Sequence, residues 1–207
     1  WNVATMVAAR HRNDRRYDAA RTVPRLIRHT LRCNSLIQDA DGTAVFLILP
    51  AILDDTLAEP STYSLALAYY LHLYFEQHQH DAATKISLLV DLRPGQGWRN
   101  CHALKLVSTL REGISLLTQI FPERLHQCVL VPIPKSYFWL WSRCIQPCLD
   151  VRTKRKIGVI CGLFSVSAPT PVAELVKYIP REMVDAMHRE RLSEFVDDSS
   201  ASADSRQ

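Results

Sequence analysis

Five adjacent side chains, Arg152, Thr153, Lys154, Arg155 and Lys156, put cationic and hydroxyl donors between an apolar stretch and a buried-strand pattern. Such donors can hold a phosphate through charge-assisted hydrogen bonds. The same run also reads as a solvated basic turn, with Asp150 capping a short following helix. Just upstream, Tyr137-Phe-Trp-Leu-Trp141, continued by Cys144, Ile145, Cys148 and Leu149, makes a helix apolar over most of its circumference. A helix of that kind is either packed core or a movable cover. The other reactive residue types point away from chemistry. Gly95-Gln-Gly97 follows a strand but lacks the third glycine and the phosphate lysine of a nucleotide loop, and Pro94 stiffens it, so it reads as a turn. His78 and His80 stand near a helix end with only Asp81 beside them, which reads as a solvated end rather than a metal site. Cys128 and Cys161 fall within apolar strands and read as core, and Cys144 and Cys148, one helical turn apart, read as sharing a buried face. No catalytic set, no zinc-spaced Cys/His cluster and no complete cofactor loop emerges, so neither catalysis, metal nor cofactor is predicted.

The elements that must position these residues alternate in type. Thr22 is a candidate N-cap for a helix to Cys33, with Pro24 tolerable only in its first turn. Asp39-Ala-Asp-Gly42 has turn chemistry, and Thr43 to Leu49 is apolar on both faces, as a buried strand is. A helix is predicted from Ser61 to about His80 behind Pro60, then a strand Ile86–Val90, then a long amphipathic helix marked by Leu104, Val107, Leu110, Ile114, Leu117 and Phe121. Cys128–Ile133, a helix Ser136–Leu149, a strand Lys156–Cys161 and a short helix from Ala173 to Tyr178 complete the series. Connections too long for hairpins imply crossovers, and hence an α/β fold with a mostly parallel central sheet covered by helices. Ser193 to Gln207, rich in Ser and Asp, has too little apolar content to order itself.

Composition bounds the rest. The 207 residues, 47% hydrophobic and 22% charged with 6 Gly, are enough for one substantial core. Lys plus Arg is 25 against 21 Asp plus Glu, and this net +4 does not call for a nucleic-acid partner. No apolar run reaches the roughly 18 residues needed to cross a bilayer, so the chain is expected to be soluble or peripheral. No charged-then-apolar leader precedes Trp1, which reads as a cut within a longer parent chain without a signal peptide. The cysteine contexts fit a reducing, cytoplasmic compartment.

Several motifs in series resemble the CRAL-TRIO (Sec-fourteen-like) lipid-binding domains, which include phosphatidylinositol, tocopherol and retinaldehyde carriers. Asp39-Ala-Asp-Gly-Thr-Ala-Val45 is similar to that family's Asp-x-x-Gly-Arg-Pro-Val approach to the first strand, Ile86 to Leu92 to its Val-x-Asp-Leu strand, and Phe121-Pro-Glu-Arg124 to its Tyr-Pro-Glu-Arg turn. Pro134 to Trp141 and Gln146 to Ile157 resemble the gate helix and the turn after it, and Glu174-Leu-Val-Lys-Tyr-Ile-Pro180 the closing Glu-Leu-Leu-Lys-x-Ile-Pro. Most of the family's N-terminal helical bundle is missing, Cys148 replaces a usual Phe, and the Gly-Gly after the last Ile-Pro is absent.

The resemblance implies three stretches: residues 1–36 as a remnant of the helical region, 37–188 as the lipid-binding domain, and 189–207 as a disordered tail or linker. It implies a gate helix over an apolar lipid pocket, lined by Phe46, Ile48, Leu88, Val90, Val129, Val131, Tyr137, Phe138, Trp141 and Ile145. It further implies that Glu123, Arg124, Thr153 and Lys156 hold a headgroup, with Arg15 a weaker addition, Lys156 pairing with phosphate and Thr153 donating its hydroxyl. The expected function is non-enzymatic binding of a phospholipid or other hydrophobic small molecule and its transfer between membranes, with phosphatidylinositol or a phosphoinositide as ligand and a membrane surface as partner. The alternative is a membrane-targeting or protein-interaction module of a larger signalling protein, with protein partners reached through the parent chain.

Overall fold

The computed structural model describes residues 38–192 apart from 40, 55, 57, 79–83 and 99. The expected Thr22–Cys33 helix, Arg15 and the 193–207 tail lie outside the described residues. Four strands, β1 (Ala44–Ile48), β2 (Ile86–Asp91), β3 (Leu125–Ile133) and β4 (Ile157–Cys161), form one parallel sheet in the order β1-β2-β3-β4. Each strand is thus added on the same side of the last, and crossovers of one hand then lay every connection over the same face. That face carries α1 (Pro60–Gln77), α2 (Ala103–Ile120) and the apolar stretch after β3.

Period-two alternation splits the strands between two cores. Phe46, Ile48, Leu88, Val90, Cys128 and Leu130 face α1 and α2, whereas Val45, Leu47, Leu89, Val129 and Val131 face the other way. The opposite face is covered by α5 (Val172–Leu175), Ile179 and α6 (Arg181–Leu192), through Leu175, Met183, Val184 and Met187. Helix α1 starts on Pro60, whose missing N–H is no loss in a first turn. It buries Leu71 and Phe75 against the sheet, Leu65 and Ala68 against α2, and Tyr63 and Ala66 on a third side, so it is apolar nearly all round.

The predicted helix Ser136–Leu149 is not a single α-helix. A 3₁₀ turn at Lys135–Tyr137 leads into α3 (Phe138–Leu140), a π-helical turn at Trp141–Ile145 and a second 3₁₀ turn at Gln146–Cys148. Pro147 is the cause the sequence carries. It has no N–H to continue the ladder and its ring would collide with the Arg143 carbonyl, so the chain widens before it, with Gln146 N–H reaching back to the Trp141 carbonyl. Cys148 is exposed and Cys144 half-buried, not paired on a buried face, and Cys161 at the end of β4 is exposed rather than core. The helix α4 (Val151–Arg155) follows, capped by Asp150, which accepts from the Arg152 and Thr153 backbone N–H groups.

Helix α6 runs beyond the expected domain limit at 188, and a buried charge network explains why. Asp91 and Arg93, both fully buried, form a two-pronged ion pair at 2.9 and 2.7 Å, and Arg93 also donates to the Ala168 carbonyl and Thr170 Oγ1. Arg191, 1% exposed, joins them from the last turn of α6 by donating to the carbonyls of Pro94, Val166 and Ala168. The Gly95-Gln-Gly97 turn serves this docking. A Cβ on Gly95 would stand 2.8 Å from Ile52 Cγ2 and 3.2 Å from the Arg191 carbonyl oxygen, and Gln96 N–H donates to that oxygen.

Candidate functional site

Three apolar cavities run along the α1/α2 face of the sheet. The largest, about 170 Å³, opens at the amino ends of β2, β3 and β4 beside Ile86, Leu125 and Ile157. A second of about 70 Å³ continues it, sharing Leu88, Ile114, Leu117, Cys128 and Ile157 and adding Ile48, Val90 and Leu130. The third, about 60 Å³, lies at the carboxyl ends beneath the π-helical turn, between Leu92, Leu110, Ile133, Tyr137, Trp141, Ile145 and Phe164. From Ile86 to Leu92 the strand climbs about 20 Å at roughly 3.3 Å per residue. Half a hydrocarbon core of about 30 Å, the depth one tail occupies in a leaflet, is about 15 Å. Length therefore suits an acyl chain, but each cavity is smaller than the roughly 300 to 1,000 Å³ of a pocket for a drug-sized ligand.

The mouth of the cavity of about 170 Å³ is polar. Glu123 sits there in left-handed backbone conformation, φ 63°, a strained position for a non-glycine residue. Its carboxylate accepts from Arg152 at 3.1 Å and from Lys156 at 3.4 Å. The Arg152 hydrogen bond, followed by that of Lys156, holds the Glu123 carboxyl below the usual carboxylate range. Arg152 and Lys156 are four residues apart across α4, so they project from one side of it. Thr153 lines the same mouth, with its hydroxyl donating to Asp150 at 2.5 Å. That hydrogen bond, with the backbone N–H groups that Asp150 caps, holds the Asp150 carboxyl low as well. A phosphate at this mouth would meet two cations already engaged by one carboxylate, and a hydroxyl whose proton is already given.

The expected residues divide accordingly. Glu123, Thr153 and Lys156 come together at the mouth. Arg124 lines the same cavity, but its guanidinium donates to the Thr84 carbonyl at 3.0 Å and lies 5.2 Å from the centre of the Phe75 ring. Ile48, Leu88 and Val90 line the cavities; Phe46 shares their face but is packed edge-on against Tyr70 and Tyr74. Val129 and Val131, expected on the pocket floor, point to the opposite face, and Cys128 and Leu130 hold the floor in β3. Reading a buried strand that is apolar on both faces one residue out of phase moves every side chain to the wrong side. Burial pushes the Cys128 thiol up to about 12, so it is a neutral, apolar wall. Tyr137, Trp141 and Ile145 line the third cavity, while Phe138 is 42% exposed and Trp139 56%. Arg152 belonged to the basic run read as a possible phosphate holder but not to the headgroup set the resemblance implied, and Ile114 and Leu117 were not singled out for the site. The signal for Arg152 was its four-residue spacing from Lys156, and for the other two the apolar stripe of α2.

A separate group, Asp39, Asp41 and His126, brings potential metal ligands within 4.8 Å of one another. Asp39 is buried, and its oxygens are occupied by the N–H groups of Asp41 and Thr43, the Ser87 hydroxyl and the Gln127 amide. Burial raises its carboxyl, and those hydrogen bonds, led by Ser87, more than offset this and lower it. This explains the Asp39 turn as a clasp between the approach to β1 and the starts of β2 and β3. No helix among the described residues is long and apolar enough to cross a membrane.

A family model described as the CRAL/TRIO domain matches residues 33–187, which bears out the resemblance carried by the motifs. Among solved structures the chain is similar to the crystal structure of Sfh5, at 16% identity with a TM-score of 0.43, over 66% of this chain and 50% of that one. The chain thus spans about half the length of that protein. No curated protein matches.

Proposed function

Because this chain belongs to the CRAL/TRIO domain family, we propose that it is a lipid-binding domain that exchanges its ligand at membranes, with phosphatidylinositol or a phosphoinositide as that ligand. One observation carries the reading: Glu123, Arg152, Thr153 and Lys156 ring the mouth of an apolar cavity that two others prolong beneath the gate stretch. Tails would lie along the sheet between Leu88, Cys128 and Ile114, and a phosphate at the mouth would take Lys156 and Arg152 from Glu123, which then accepts from inositol hydroxyls. Each methylene buried is worth about 0.8 kcal/mol against water, so a two-tailed ligand does not leave into solvent. Moving into a bilayer exchanges one apolar surrounding for another and costs little. Exchange therefore needs a membrane and an opened gate, and no covalent step. The small cavity volumes mean that the gate and α2 separate as a two-tailed ligand enters. The π-helical turn is a fitting hinge, since its widened ladder is already partly unmade.

Mass spectrometry of the lipids that co-purify with the chain tests the ligand class. A charge-assisted hydrogen bond to phosphate is worth about 1.5 to 3 kcal/mol. Lys156→Ala is therefore expected to reduce phosphatidylinositol loading roughly ten- to a hundredfold while leaving phosphatidylcholine loading nearly unchanged. Equal effects on both lipids, or on neither, reduce the mouth to a solvated surface. A folded chain that takes up no lipid at all favours the second reading, a membrane-targeting or protein-interaction module, to which the small cavities also lend support.

A further inference from the structure

The stretch from Lys135 to Lys156 lies flat on the core. Leu140, Trp141, Ile145 and Leu149 are its buried residues, and they form its inner side. Its outer side exposes Tyr137, Phe138 and Trp139 in succession, then Arg143, Val151, Arg152 and Arg155. A fifth exposed apolar residue borders it from another segment. Leu163, 69% exposed, precedes Phe164, and Phe164 lines the same cavity as Tyr137 and Trp141. Exposed apolar side chains gathered in this way mark contact surfaces.

Charge identifies the partner. Within these 22 residues stand six Lys or Arg and one acid, Asp150, a net +5. The whole chain carries +4, so everything outside the stretch sums to −1, with 19 basic against 20 acidic residues. Residues 1–37 hold eight of those basic residues against two acids, and between residues 38 and 192 the remainder has 10 basic against 14 acidic. Within residues 38–192 the ribbon is therefore the basic segment, and it is interleaved with aromatic residues that suit the boundary between headgroups and tails. A second copy of the chain is a poor occupant of this surface, because even with Glu123 paired to Arg152 and Lys156 the same face on two copies sets a net +4 against +4.

We infer that the outer side of the Lys135–Lys156 stretch, with Leu163, is a docking surface for bilayers rich in anionic lipid, aromatic residues entering the headgroup layer while Lys135, Arg143 and Arg155 take up the surface charge. The inference rests on the reading of the chain as a lipid exchanger, since exchange brings the gate to a membrane. It adds that the chain chooses which membranes it visits by their surface charge, separately from the headgroup held at the cavity mouth.

The test is sedimentation of the full chain with vesicles of phosphatidylcholine alone, and with vesicles in which a third of it is replaced by phosphatidylserine, at low and at physiological salt. Binding is expected to rise steeply with phosphatidylserine and to fall with salt. Each cation near an anionic surface is worth about a fivefold change in affinity. The double variant Lys135→Gln/Arg143→Gln, whose positions line none of the three cavities, is expected to bind the anionic vesicles about 25-fold more weakly at unchanged phosphatidylinositol loading. Leu163→Ser is expected to weaken binding without changing its salt dependence. Equal binding to the two vesicle types, or a double variant that binds as the parent does, overturns the inference while leaving lipid loading to be judged by itself. So does binding to soluble polyglutamate as tight as binding to the anionic vesicles, which transfers the surface to an acidic protein partner. Charge-selective docking by a chain that loads no lipid upholds the surface and overturns the exchange reading instead.

Discussion

Replacing Ile114 by Trp separates a ligand pocket from incidental packing gaps. Ile114 projects from α2 into the junction of the cavities of about 170 and 70 Å³ and lines both. An indole exceeds the isoleucine side chain by about 60 Å³, and unfilled volume costs about 24 cal/mol per Å³, so filling it stabilises the ligand-free protein by up to about 1.4 kcal/mol. For a unit of this size that is a rise of about 3 to 6 °C in unfolding midpoint. The same ring blocks the way from the polar mouth to the gate side. Lipid occupancy, measured by mass spectrometry after incubation with vesicles, is expected to collapse, and added lipid should no longer raise the midpoint as a ligand of the folded state does. In a core already filled, the added volume instead costs about 1 to 3 kcal/mol. A variant that unfolds earlier than the parent and still loads lipid would refute the reasoning, because the cavities would then be neither empty nor on the ligand's path.

The two gate tryptophans should part company: Trp141→Ala is expected to cost about 3 to 5 kcal/mol in denaturant unfolding, and the exposed Trp139→Ala less than about 0.5 kcal/mol. Asp39 has a folded pKa below its ordinary value of 3.8, so its contribution to stability is present above that value and is lost as pH falls through the lower folded one. An Asp39→Asn variant should accordingly show a flatter loss of stability below about pH 4 in acid titrations followed by circular dichroism. Asp91→Asn leaves the buried guanidinium of Arg93, and that of Arg191 beside it, without a counter-charge, and is expected to cost about 3 to 5 kcal/mol.

The alternation of apolar runs with crossover-length connections made the parallel sheet legible, and the motifs from Asp39 to Pro180 made the family legible. Side-chain direction in β3 was not. Cys128-Val-Leu-Val is apolar at every position because both faces of the sheet are covered, so no polar residue marks the phase. Composition also hid the gate's break into short turns, because an apolar helix and an apolar series of turns read alike, and only Pro147 told them apart. At the mouth, the family resemblance implied Lys156 and Glu123 as neighbours. The engagement of Arg152 by Glu123, and the turning of Arg124 onto Phe75, depend on a tertiary approach of two loops that no local spacing encodes.

Asp91 and Arg191 stand 100 residues apart in the chain, yet they belong to one buried network. Closing a loop of that length costs chain entropy that local contacts do not repay, so the network depends on α6 being present to complete it. The family match stops at residue 187, four short of Arg191. A fragment cut there keeps the strands, the cavities and the mouth, but it loses the side chain that holds Pro94, Val166 and Ala168 to the end of α6. Recombinant pieces of this protein should therefore extend through Leu192, and limited proteolysis of shorter ones should begin in the Val166–Thr170 segment.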